Sequence, residues 1–341
     1  MQMVDATHKS FPASDRSYFS IIKKEINKLV RTAGFDEKKI GDVDLVVSEL
    51  TTNLHKYAVD GEILAGIIKD PNGLVYLEII SIDHGPGVSD SQKMMADGYS
   101  SANTLGMGLG SINRLSDKFE LYSQKDWGTI VLSRINKTSA LPLNTRTSNI
   151  ELRALVVAMP GETVSGDGMY YKQTDKYLKL LVGDGLGHGE LANYAVNEAV
   201  LSFKSCPYNA PSEILRYIHN DVKRTRGLVG AVVVFDLMTR SYEVAGVGNI
   251  SVRLSNFLDN KNQMSYNGII GHNVPNTINN QHVMAADFNQ VTLCSDGIRS
   301  RWDTIKLKGI TRSDLSIQMA AIYKDSARKT DDMSIIMAKL K

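Results

Sequence analysis

The feature that most constrains this chain is an interruption. Residues 136–149, NKTSALPLNTRTSN, mix Ser, Thr and Asn with one proline and show neither the helical nor the strand period of apolar residues. That pattern predicts a linker dividing the 341-residue chain into two domains, 1–135 and 150–341, each long enough to bury a core of its own. The Gly-rich motifs on the two sides differ in kind and no internal repeat relates them, so two different machines are expected. Composition then removes several function classes. The formal net charge is +2 and no basic run is dense enough for an electrostatic nucleic-acid footprint; KKEINK, 23–28, reads as the solvated face of a helix. Cys206 and Cys294 make neither a disulfide framework nor a metal-ligand spacing. The first residues lack the apolar core of a signal peptide, and no stretch approaches the ~18 apolar residues of a membrane span. A cytoplasmic protein with no nucleic-acid or membrane partner is expected.

In the first half, DVDLVVSELTTNLHKYA (42–58) places Val43, Val46, Val47, Leu50, Leu54 and Tyr57 on one helical face. At about 100° per residue, Glu49, Asn53 and Lys56 fall together on its flank. By itself this is a polar helix flank. Residues 74–82, LVYLEIISI, read as a strand running into Asp83-His84-Gly85-Pro86-Gly87, where a carboxylate at a strand end can accept a hydrogen bond from a base edge. Leu105-Gly106-Met107-Gly108-Leu109-Gly110 then leads into SINRLSD, a predicted helix, and glycines ahead of a helix let backbone N–H groups approach phosphates. Any one of these strings is weak; three in this order carry weight.

These residues resemble the GHKL ATPase superfamily, in particular its small anti-sigma-factor serine kinase branch. SELTTNLHKYA matches the N box, DHGPG the first glycine box, LGMGLG the second, DGYSSANT (97–104) the ATP lid, and FELYSQKDWGTIVLSRI the closing strands. The resemblance implies a Bergerat α/β sandwich binding ATP with Mg²⁺. Asn53 would hold the metal and Asp83 would read the adenine amino group, with Gly85, Gly87, Gly106, Gly108, Gly110 and Thr129 completing the nucleotide set. Glu49 would be the general base toward a partner's serine, as phosphoryl transfer requires an ionised carboxylate near the nucleophile. Only about forty residues precede Glu49, too few for the phosphoacceptor helices of a histidine kinase, and His55 and His84 read as packing or surface residues.

In the second half, aspartates stand at turns beside apolar strands: Asp167 in VSGDG, Asp184 in GDGLGHG after YLKLLV, Asp296 in SDG after VTLC, and Asp331-Asp332 before MSIIMAKL. One Asp-Gly is a turn. Several carboxylates brought together repel one another and need a cation, and hard oxygen donors without a Cys or His set favour Mg²⁺ or Mn²⁺ over zinc. The motif order SGDG, VGDGLGHG, CSDGI, TDDMSIIM resembles the PP2C-type phosphatases, most closely their SpoIIE/RsbX-like branch. GAVVVFDLMTRSYEVAGVGNISVRL resembles that branch's central strand pair and GIIGHN a downstream turn. The resemblance implies an α-β-β-α sandwich holding two metal ions. Asp184 would bridge them with the Gly185 carbonyl as a further ligand, Asp296 and Asp331 would complete one shell, and Asp167 would add an acidic contact. Asp332 ranks below Asp331, because relatives often carry Asn there. His188 reads as a loop residue and Cys294 as a strand residue.

The fold class expected is thus α/β (α+β), with a kinase-like domain before a phosphatase domain. The function expected is a bifunctional switch on a phosphorylatable serine or threonine of a STAS-domain protein or a stressosome-like component; the oligomeric state stays open, a homodimer being common in the kinase branch it resembles. An alternative keeps the phosphatase and makes the first domain a non-catalytic, nucleotide-responsive module that recruits the partner. A third treats both halves as inert scaffolds.

Overall fold

Sequence period becomes packing first in the two opening helices. A computed structural model describes residues 7–70, 73–88, 105–138, 150–256, 258–304 and 306–340. The expected lid, 97–104, and residues 139–149 of the expected linker lie outside them. After strand β1 (Thr7–Pro12) comes helix α1 (Phe19–Thr32), which buries Ile22, Ile26 and Val30, one residue per turn. Burying such a side chain is worth about 1.5–3 kcal/mol. Helix α2 (Glu37–Tyr57) starts at Asp36, whose carboxylate caps the Lys39 N–H at 2.8 Å, and buries Val43, Val46, Val47, Leu50 and Leu54.

The described residues form two compact units, one within Asp5–Arg146 and Asp303–Lys324, the other within Thr147–Trp302 and Asp325–Lys341. In the first, here the N-terminal unit, β2 (Glu62–Lys69), β3 (Val75–Ile82), β4 (Lys118–Gln124) and β5 (Gly128–Asn136) join β1 in an antiparallel sheet ordered β1-β2-β3-β5-β4. Helices α1 and α2, with α3 (Leu105–Leu115), share one core with Ile63, Ala65, Leu77, Ile79, Val131 and Ile135. The opposite face of β3 carries Tyr76, Glu78, Ile80 and Ile82, also buried, so this strand is covered on both sides.

In the C-terminal unit, β6 (Ile150–Val157) pairs with β15 (Met333–Leu340), which pairs with β14 (Gln290–Cys294), then β11 (Ser251–Ser255) and β12 (Asn260–Gln263). A second sheet runs β13 (Gln281–Met284), β10 (Ser241–Val247), β9 (Leu228–Asp236), β8 (Tyr177–Gly185) and β7 (Asp167–Gln173). Helices α4 (Glu190–Ser205) and α5 (Pro211–Asp221) cover it through Val196, Val200, Phe203, Ile214 and Ile218. The sheets meet where β7 packs against β15. Helix α6 (Leu315–Ser326), which through Lys324 belongs to the N-terminal unit, buries every residue from Leu315 to Tyr323. Among the described residues no helix is long and apolar enough to cross a membrane.

Candidate functional site

The helical spacing of Glu49 and Asn53 sets both half-buried side chains on the flank of α2 that faces α3. A Cβ at Gly108 would stand 2.7 Å from Glu49 Oε2 and 3.6 Å from Asn53 Oδ1. Any side chain at 108 would therefore strike the carboxylate. The sequence places these glycines ahead of a helix, whereas α3 already begins at Leu105 and contains Gly106, Gly108 and Gly110. A glycine inside a helix costs about 1 kcal/mol relative to alanine, and the close approach of Glu49 supplies a reason for that residue at 108.

Asp83 leaves the end of β3 and organises a second group. Its Oδ1 accepts the N–H groups of Gly85 at 2.7 Å and Thr129 at 3.2 Å, and its own N–H donates to the Thr129 carbonyl at 3.0 Å. Gly128 holds φ +120°, with room for a Cβ only 2.1 Å from the Asp83 carbonyl oxygen; Gly87 holds φ +59° against the Gln124 carbonyl. Both positions demand glycine on conformation and on space. Burial pushes the Asp83 carboxyl up, and the Gly85 and Thr129 N–H groups oppose it. The structure thus assembles Glu49, Asn53 and Gly108 on one side, and Asp83, Gly85, Gly87 and Thr129 on another.

In the C-terminal unit, strand register brings Asp167, first residue of β7, opposite Asp184 near the end of β8. Asp167 is buried and its Oδ2 has no hydrogen-bond partner. Burial, then the charges of Asp332 and Asp331, push it up to about 7. Burial and then Asp167, Asp296, Asp331 and Asp332 push Asp184 up to about 9. Asp296 also rises, through burial and then Asp331, while accepting the Asn249 Nδ2–H at 2.7 Å. A buried and a half-buried carboxyl both pushed up by burial and by neighbouring aspartates mark a site crowded with negative charge.

Asp332 plays a different part. Its two oxygens accept the N–H groups of Met159 at 2.9 Å and Gly166 at 2.8 Å, which fixes the turn leading to Asp167. A Cβ at Gly297 would lie 2.0 Å from the Asp332 carbonyl oxygen, so the SDG and TDD turns interlock. Gly185, with a Cβ position 2.4 Å from the Ala192 carbonyl oxygen, likewise admits no side chain, and its N–H donates to Gly166 at 3.1 Å.

Among the described residues no three His, Cys, Asp or Glu side chains converge as a ready coordination shell. What the turns provide is Asp167, Asp296, Asp331 and Asp332 within electrostatic reach of Asp184, with one buried oxygen unpaired. Hard oxygen donors carrying excess charge fit a divalent cation that keeps part of its water shell. Exposed His188 pairs with Glu162 at 2.6 Å, and the buried Cys294 thiol, pushed up to about 12, is no nucleophile. Sequence reasoning missed Asn249 and Glu162; the only signal at Asn249 was an amide in a Gly turn between two strands.

The model of the histidine kinase-like ATPase domain matches residues 11–135. The serine/threonine-protein kinase RsbT of Bacillus subtilis is 37% identical over 101 residues, covering 30% of this chain and 75% of RsbT. The chain belongs to the histidine kinase-like ATPase family. Phosphoserine phosphatase RsbX of the same organism is 31% identical over 94 residues, 26% of this chain and 45% of RsbX, so the chain spans just under half of that relative. A crystal structure of RsbX in complex with magnesium shares the fold at a TM-score of 0.50 and 19% identity, covering 56% of this chain and 96% of that one. A histidine kinase-like ATPase module over residues 11–135 is thus joined to a unit with the fold of RsbX in one mixed α/β protein.

Proposed function

We propose that this chain is a partner-switching regulator whose C-terminal unit hydrolyses phosphoserine or phosphothreonine on a STAS-domain protein or a stressosome-like component. The observation that carries the reading is the Asp167–Asp184 pair, a buried and a half-buried carboxyl at facing positions of adjacent strands, pushed to about 7 and about 9 by burial and by neighbouring aspartates. In this reading Asp184 and the Gly185 carbonyl, with Asp296, Asp331 and Asp167, hold two divalent cations, Mg²⁺ or Mn²⁺. When bound, such ions lower the pKa of water and neutralise charge on a phosphoryl group. The chain supplies the rest. Asp332 keeps the turn before Asp167 in place through Met159 and Gly166, and Asn249 orients Asp296 through its Oδ2.

For the N-terminal unit we propose ATP binding with Mg²⁺ at Asn53, adenine recognition by Asp83, and phosphorylation of a partner serine with Glu49 as general base. The support is the Gly108 approach, which sets Glu49 and Asn53 against α3, and the paired Asp83 and Thr129 loops. Oxygen-rich positioning with one ionised carboxylate is what phosphoryl transfer asks of a protein.

The test is phosphate release from a phosphoserine STAS-type protein in Mn²⁺ by the parent, Asp184→Asn and Glu49→Ala, followed by ATP consumption with the unphosphorylated protein. Loss of release in Asp184→Asn alone, and loss of ATP-dependent phosphorylation in Glu49→Ala alone, is the expected result. Release by Asp184→Asn at the parent rate would overturn the phosphatase assignment.

A further inference from the structure

The chain leaves the C-terminal unit after Trp302 and rejoins it at Asp325. The excursion lies between Asp296 and Asp331, two of the proposed metal ligands, and Asp303–Lys324 belongs to the kinase-like unit. It is fastened there along its length. Lys308 N–H donates to Gln124 Oε1 at 3.1 Å, and the Lys308 carbonyl accepts from the Tyr122 hydroxyl at 3.2 Å. Asp314 receives two N–H groups of Arg134, each at 2.8 Å, while capping the Ser316 N–H at 2.9 Å. Ser316 Oγ donates to Glu78 at 3.0 Å and the Tyr323 hydroxyl to Glu62 at 2.7 Å. At the far end, Lys324 Nζ donates to the Trp127 carbonyl at 2.8 Å and lies 4.2 Å over the Trp127 ring.

Trp127 is the residue before Gly128 and Thr129, the pair that holds Asp83, and the Lys324 charge also acts on that carboxyl. Two residues beyond Lys324, the Ser326 carbonyl accepts the Arg299 N–H at 2.9 Å, and Arg328 N–H donates to the Gly297 carbonyl at 2.8 Å. Those bonds flank Asp296 directly and Asp331 within three residues. α6 is buried at every residue from Leu315 to Tyr323, and a helix packed that closely shifts as a body rather than bending to absorb a displacement.

We propose that nucleotide bound at Asp83 regulates the phosphatase site through α6, by way of Trp127, Lys324 and the Ser326–Arg299 and Arg328–Gly297 bonds. This rests on the assignment of both sites made above. Closure of the Asp83–Thr129 loops on adenine repositions the turn bearing Trp127, Lys324 carries the shift into α6, and the helix end moves the turns holding Asp296 and Asp331. Lys324 is a positioning residue, since it touches neither phosphoryl group nor metal ligand.

The experiment uses the full chain with Mn²⁺ in excess of nucleotide and p-nitrophenyl phosphate as substrate, so that partner docking plays no part. Saturating AMP-PNP is expected to change the parent's rate by about 5-fold or more, the scale of ordinary coupling between sites. Lys324→Ala, and Lys324→Met as a second variant should the first misfold, keep the basal rate and AMP-PNP affinity but lose the change; Asp83→Asn loses it by losing the nucleotide. A parent rate indifferent to saturating AMP-PNP, or a Lys324 variant that keeps the full response, overturns the proposal. If the parent releases no phosphate at all, the phosphatase reading fails, and the coupling is read by hydrogen exchange. AMP-PNP then slows exchange across 315–330 in the parent and not in Lys324→Ala, and equal exchange with and without it overturns the coupling.

Discussion

Two clusters of carboxylates in this chain are shifted in opposite directions by what surrounds them. Asp167 and Asp184 face each other with further aspartates around them, and burial with like charge drives both up. Glu78 is just as enclosed, and burial alone would raise it, yet the Arg134 charge and the His8 hydrogen bond hold it below the usual carboxylate range. Arg134 in turn is raised by Glu78 and Asp314 against its own burial. The difference lies in what the fold built beside each carboxylate. One cluster carries its cation as a side chain; the other, in the reading proposed above, takes its cation from solution.

Removing charge is expected to separate the two most sharply. Asp184→Asn should lower phosphate release by about 10³-fold or more if, as proposed, Asp184 is the shared ligand of two cations. The same change should raise the melting temperature of the metal-free protein, since it removes a carboxyl that resists ionisation. Loss of both activity and metal-free stability would show that Asp184 is a packing residue. Arg134→Ala should act in the opposite sense. It removes the positive charge facing Glu78 and Asp314, and breaking such a buried ion pair costs about 3–5 kcal/mol, measured as the denaturation midpoint of the N-terminal unit. Arg134→Met combined with Glu78→Gln should cost less than Arg134→Ala alone.

The pH response should sharpen the contrast. A carboxyl whose folded pKa is raised binds more protons folded than unfolded, so stability is present below its ordinary value and is lost as pH climbs through the folded one. For Asp167 and Asp184, about 7 and about 9, metal-free stability should fall from weakly acid to alkaline pH by up to about 1.4 kcal/mol per pH unit for each proton lost, and Mn²⁺ at pH 8 should restore it. Glu78 is lowered, so its contribution is present above the ordinary glutamate value and fails only in acid. Calorimetric scans from pH 4 to pH 9, with and without Mn²⁺, check both signs. A metal-free stability that rises toward pH 9 would remove the basis for a cluster that takes its cation from solution.

Sequence legibility follows the same division. The aspartates of the proposed metal site stand in local patterns, Asp167, Asp184 and Asp296 in Asp-Gly turns and Asp331-Asp332 ahead of an apolar strand, and strand pairing sets Asp167 opposite Asp184. The Glu78–Arg134–Asp314 cluster shows no such local pattern, since its members lie 56 and 180 positions apart and each sits in an unremarkable strand or turn. A glutamate in the middle of LVYLEIISI was the one hint that a cation waits on the strand's second face. Periodicity also found α2 and its Glu49–Asn53 flank but misplaced the start of α3, because glycines read as loop where close approach of a carboxylate favours them inside a helix. Nor could any local pattern assign Asp303–Lys324, which follows a phosphatase motif in the chain and packs with the kinase-like unit.

That misplaced helix start supplies the smallest and most discriminating change. Gly108→Ala raises helix propensity by up to about 1 kcal/mol. It also sets a methyl group 2.7 Å from Glu49 Oε2, which must swing away. If Gly108 is there only by descent, the variant is more stable and binds nucleotide as before. If it is there to let Glu49 and Asn53 meet α3, stability stays level while AMP-PNP affinity drops about tenfold, and serine phosphorylation drops further because Glu49 has left its place. Calorimetric titration beside a thermal melt distinguishes the two, and the second outcome is the one the geometry predicts.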